Sequence, residues 1–199
     1  NDPEMLFKNG FGFDIRYAYQ SGSYLFDVNA DSEQISGTAR TGAGSLNATM
    51  NETKISYDTS VTDMNVAIEG DSIPFPIEVS LAEYGIGFDM PLAKTDEPAD
   101  FGLRLNLTDL AVNDMIWMLA DPAGALPHDP ATLLFDLSGK AKLFFDLLDP
   151  AQTEAIDMMD VPGELNAVTL NNLSLKLGGA ELTGLGDFTF DNTDLETFD

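Results

Sequence analysis

The sequence predicts a mainly β protein, a large antiparallel meander, sandwich or open half-barrel of about a dozen strands with one or two short helices. Three observations predict it. Apolar residues recur at every second position along most of the chain, and the runs stop at Gly, Pro, Asn or Asp clusters at roughly 8 to 12-residue spacing. Only two short stretches break into patterns suited to helices.

Glu164 to Asp191 is the clearest stretch and reads as three successive strands. Leu173, Leu175 and Leu177 alternate with Ser174 and Lys176, and Gly178-Gly179 supplies the positive φ angles of a two-residue hairpin turn. Leu182, Phe188 and Phe190 then lie even numbers of residues apart, which predicts that all three are buried on one face.

From the N-terminus, Phe13, Ile15, Tyr17 and Tyr19 alternate with polar residues, and Tyr24, Phe26 and Val28 follow Ser21-Gly22 in a hairpin-like block. Leu46, Ala48 and Met50, then Ile55 and Tyr57, then Met64, Val66 and Ile68 form thinly apolar strands with one solvated face. The two prolines of Asp71 to Pro76 mark an edge or a crossover. Ile77 to Leu81 and Tyr84 to Met90 read as a further hairpin, and Phe101 to Leu107 as a regular strand. Asn113 is placed to cap a short helix whose run Met115 to Ala120 is apolar all round, which predicts burial. Leu133 to Leu137 and Ala141 to Phe145 flank a turn or bulge at Gly139. Asp149-Pro150 starts a second helix of about ten residues that Pro162-Gly163 ends. Ser45 to Tyr57, Phe101 to Val112 and Glu164 to Leu177 echo one another, as amphipathic strands in one protein commonly do.

The chain of 199 residues, 44% hydrophobic, is expected to fold as a single β-rich domain over 1-199. Its 34 acidic against 9 basic residues give a net charge of -25, a field that repels nucleic acid and anionic headgroups and suits an extracytoplasmic setting. Cysteine is absent, so neither disulfides nor sulfur-based metal sites are available. The longest apolar run, Met115 to Ala120, is far short of the ~20 residues of a membrane-spanning helix. The N-terminal NDPEMLFKNG has neither a basic head nor an apolar stretch of a secretion signal, and both ends read as cut from a longer chain.

Catalytic motifs are missing. The single histidine, His128, lies between prolines and reads as a rigid loop residue, and no nucleophile elbow, phosphate loop or zinc-protease motif occurs. The expectation is a non-enzymatic protein without catalytic residues, cofactor or resident metal. Asp191, Asn192, Asp194 and Glu196 carry oxygen ligands suited to calcium, but they lack the glycine and register of an EF-hand loop, and an Asx turn is expected there. Four Asn-x-Ser/Thr sequons, at Asn47, Asn51, Asn106 and Asn172, match chance expectation in a chain of this composition.

The runs NDMIWMLADPAGALPHDPATLLFDLSG (Asn113 to Gly139), PGELNAVTLNNLSL (Pro162 to Leu175) and GDFTFDNTD (Gly186 to Asp194) resemble the alphaproteobacterial "domain of unknown function 2125" family. The resemblance extends from about Ile73 to the C-terminus. It implies a secreted or envelope-anchored precursor that continues past Asp199 with a glycine-proline segment, and it brings no established activity and no functional residues.

The expected function is therefore that of a periplasmic, non-enzymatic protein. It binds an apolar, lipid-like ligand or an envelope protein partner on a sheet face, with Trp117 and its helix either plugging one mouth of the sheet or lining a groove. The alternative is a structural or surface-interaction module stabilised by calcium.

Overall fold

The computed structural model describes residues 11–30, 33–153 and 162–193. They form one antiparallel sheet of ten strands, and the sheet is open. The strands are β1 (Phe13–Tyr19), β2 (Gly22–Ala30), β3 (Glu33–Thr41), β4 (Gly44–Met50), β5 (Lys54–Gly70), β6 (Ile77–Pro91), β7 (Ala99–Val112), β8 (Ala131–Leu143), β9 (Gly163–Leu177) and β10 (Ala180–Thr189). Two helical segments interrupt them, α1 (Asp114–Ala120) and α2 (Pro150–Thr153).

The ten strands fall on eight lines. β1 and β2 follow one another along the first line and β3 and β4 along the second, because Tyr19↔Gly44 and Gly22↔Thr41 keep one register across the interruption. β5 receives β4 on its first half and β3 on its second, and from there each strand pairs with the next through β10. This is the simplest meander, and it closes against no second layer among the described residues.

Several sequence expectations change. Glu164 to Asp191 holds two strands rather than three, and Ile77 to Met90 is a single strand rather than a hairpin. β1 and β2 do not pair with each other. β8 runs through Gly139 without turning. The strands are fewer and longer than a dozen short ones, reaching 17 residues in β5, because polar residues inside a run do not end a strand whose other face is solvated. The echo at Ser45 to Tyr57 contains the β4–β5 turn, whereas Glu164 to Leu177 lies within one strand, so the two are not structural repeats. Of the helix expected after Pro150, residues 150–153 are described and the remainder up to 161 lies outside the described residues.

The Gly178-Gly179 turn is as the sequence predicts, with φ of +57° and +80°. Three further glycines have a different reason. Gly37, Gly44 and Gly139 lie directly opposite Phe26, Tyr19 and Phe101, and the aromatic ring covers each glycine so closely that a Cβ there would overlap it. Covering a glycine with a cross-strand aromatic restores the apolar contact that the missing side chain forfeits.

Candidate functional site: a chargeless sheet face

Cross-strand partners share a face, so the register fixes which residues lie together. Leu103↔Leu137, Leu105↔Phe135 and Leu107↔Leu133 link β7 to β8, while Leu133↔Leu175 and Phe135↔Leu173 extend the same face to β9. Toward the other edge, Phe88↔Leu103 and Ile86↔Leu105 join β6, and Tyr57↔Phe88 joins β5 with the two rings stacked 5.6 Å apart.

The apolar residues of β9 are spaced unevenly, at 165, 168, 170, 173, 175 and 177. Strict alternation would send some of them to the opposite face. Two register shifts prevent this: between Asp136 and Leu137 of β8 the partner moves from Asn172 to Leu170, and between Lys140 and Ala141 it moves from Ala167 to Leu165. Each leaves one extra residue in β9, Asn171 and Asn166, at a bulge. The Asn171 amide donates to Asp136 and to Ser138, both at 2.9 Å, so the extra residue is anchored on the polar face.

A second device runs across the sheet. Apolar positions are odd-numbered in the first part of β7, up to Leu107, and even-numbered from Leu110. Leu107 pairs with Leu133 and Leu110 with Ala131, two successive same-side positions of β8, so both leucines stay on one face. The shift is absorbed near Asp109, whose φ is +55°. β5 makes the same change of parity around Asp63, with φ of +51°. Asparagine and aspartate tolerate this left-handed conformation better than other non-glycine residues, which accounts for aspartate at both places.

The outcome is one continuous apolar face over the whole sheet. Apart from Glu33 beside the β2–β3 tip, no strand residue on it carries a charge. The opposite face is polar and holds the ion pairs Lys54–Asp89, Arg104–Asp58 and Lys140–Asp100, at 3.0, 3.0 and 2.7 Å. The hydrogen bond from Ser56, aided by Lys54, holds the Asp89 carboxyl below its ordinary range against the opposing effect of burial. Lys140 does the same for Asp100.

The apolar face is not buried. Among the described residues only Leu81, Leu92 and Phe145 are buried hydrophobics, and Leu103, on a central strand, stays 41% exposed. Leu182, Phe188 and Phe190, expected to be core, are 55%, 55% and 46% exposed. Leu182 and Phe188 do share a face, but β10 is an edge strand, and among the described residues no further strand covers it.

Trp117 and His128 are the loop feature that sequence reading missed. α1 buries none of its residues, contrary to expectation, because it stands at the end of the sheet with Met118 and Leu119 59% and 72% exposed. Asn113 precedes it in extended conformation without capping it; its amide donates instead to the Pro76 carbonyl at 2.7 Å. Trp117 stacks on His128 with centroids 4.4 Å apart and planes 5° from parallel. The Asp121 carboxylate accepts the Leu126 N–H at 2.7 Å, which with the Ala125 N–H lowers its pKa and ties the loop together. No sequence spacing could pair Trp117 with His128, since the loop geometry alone brings them together.

At the C-terminal end Asp191 Oδ1 accepts the Thr193 N–H at 3.0 Å and its hydroxyl at 2.7 Å, which is the expected Asx turn. Asp194 and Glu196 lie outside the described residues. Comparisons with family models, with curated proteins and with solved structures returned no match.

Proposed function

We propose that this protein holds an apolar, lipid-like ligand on its chargeless sheet face, as a non-enzymatic component of the bacterial envelope. The observation that carries the reading is a face that, apart from Glu33 at the β2–β3 tip, stays uncharged across the sheet and yet lies open. The two β9 bulges and the parity changes near Asp63 and Asp109 all act to keep that face continuous. Hydrocarbon burial contributes about 0.8 kcal/mol per methylene, so a chain of a dozen methylenes gains several kcal/mol even if only half covered. With no charge on the face away from the β2–β3 tip, recognition is of the hydrocarbon, and any polar headgroup projects past the rim. The periplasmic location rests on the net charge of -25 and the family resemblance.

Native mass spectrometry of protein purified from cells, followed by lipid extraction, tests this. A stoichiometric apolar adduct is expected in the wild type and absent in Leu105→Asp, with Asn106→Asp on the opposite face as the control. No adduct, together with no binding of a fluorescent fatty acid at micromolar concentration, defeats the reading.

A further inference from the structure

The two edges of the sheet fit each other. Among the described residues β10 and β2 each leave one edge unpaired, and both strands lack lysine and proline, the residues that commonly blunt an edge. Both edges also break the polar character of the charged face at one point, with Leu25 in β2 81% exposed and Leu185 in β10 77% exposed. Leu134 is the other leucine on this face, in mid-sheet opposite Asn106 and Ser174, and it is part-covered by its neighbours, whereas the two edge leucines are the large apolar side chains that this face leaves bare among the described residues.

We infer that β10 of one copy pairs with β2 of a second copy, head to tail, with Leu185 opposite Leu25. Direction permits it. Eight antiparallel lines mean that the last runs opposite to the first, so two copies in the same orientation meet as antiparallel neighbours with their apolar faces on the same side. The register set by the two leucines places Phe26 opposite Gly184 and Tyr24 opposite Gly186. It also places Phe188 opposite Gly22.

The Phe26 ring already lies over Gly37, and the Tyr24 and Phe188 rings lie against Gly22 and Gly186 of their own strands, so the join sets these edge aromatics opposite positions without a side chain, which leaves room for the two backbones to pair. In the same register Asp27 meets Thr183 and Asp187 meets Ser23, so no like charges are opposed. A join between different edges does not close on itself, so copies add one after another and the apolar face continues from copy to copy. The net charge of -25 per copy opposes association at low salt, and screening relieves it.

The test uses the full chain at about 0.5 M NaCl, where the Debye length is only ~4 Å. Sedimentation velocity is expected to show concentration-dependent growth beyond a dimer for the wild type, and a monomer for Leu25→Lys and for Leu185→Lys, each with unchanged circular dichroism. Mixing the two variants is the decisive arm, because Leu25→Lys retains an intact β10 and Leu185→Lys an intact β2, while the remaining join would oppose two lysines. A 1:1 dimer that grows no further supports the head-to-tail join. Because the chain has no cysteine, Leu25→Cys with Leu185→Cys in one chain gives a second readout. A ladder of disulfide-linked oligomers supports the inference, and a cross-linked monomer, which means that the sheet closes on itself, overturns it. A wild type that stays monomeric up to ~100 μM at that salt, far above the range where a specific interface would saturate, also overturns it.

Discussion

Arg104 and Asp58 belong to strands that share no hydrogen bond, yet their side chains meet at 3.0 Å across Gly87 of the strand between them. Gly87 pairs with both, and a Cβ there would lie 2.9 Å from the Asp58 carboxylate and 3.1 Å from the guanidinium. The glycine is therefore the floor over which the pair closes.

Both side chains are about half exposed, so a double-mutant cycle between Arg104→Ala and Asp58→Ala should give a coupling of only about 0.2–1 kcal/mol. In a Gly87→Ala background the coupling should fall to zero. Chemical denaturation measures both, and a coupling that survives the methyl group would show that the pair does not need the glycine.

Tyr19 over Gly44 permits a cleaner test of ring-over-glycine packing, since the nearest atoms to a Cβ at Gly44 all belong to the Tyr19 ring. Gly44→Ala should destabilise by about 1–3 kcal/mol through overpacking. In a Tyr19→Ala background the same change should be close to neutral. Equal costs in the two backgrounds would place the constraint in the backbone instead.

Stability should concentrate where burial is real. Leu81→Ala and Phe145→Ala are expected to cost about 2–5 kcal/mol, both residues being more than 90% buried. Phe190→Ala, at a half-exposed edge position, should cost under about 1.5 kcal/mol in the monomer. A Phe190 effect as large as that of Phe145 would mean that β10 is covered in solution.

The pH dependence has two arms. From pH 7 down toward the pI of 4.1, loss of negative charge relieves self-repulsion, so the melting temperature should rise at low salt. Asp89, Asp100, Asp121 and Asp191 have carboxyls held below their ordinary value of 3.8, so they stabilise the fold when ionised. That contribution is present above pH 3.8 and is lost as pH falls through the lower folded values. The melting temperature should therefore drop below pH 3.8, less steeply in Asp89→Asn. A monotonic rise to pH 2 would contradict this.

The sequence by itself determined the β class, the hairpin at Gly178-Gly179, the Asx turn at Asp191 and the membership of most residues in one apolar set. These are local properties: turn chemistry acts over two to four residues, and period-2 alternation is written into each strand. Only the tertiary structure decided how the strands are lined up, and with that whether the apolar set makes one face. Leu165, Leu170 and Leu173 are unevenly spaced, and they share a face only because the register against β8 leaves Asn166 and Asn171 as extra residues. Likewise, nothing local in Leu182, Phe188 or Phe190 says that β10 is the outermost strand among the described residues. Burial depends on what lies beyond a residue's own strand, and for this open sheet there is no second layer among the described residues to bury the apolar side chains that the sequence had assigned to a core.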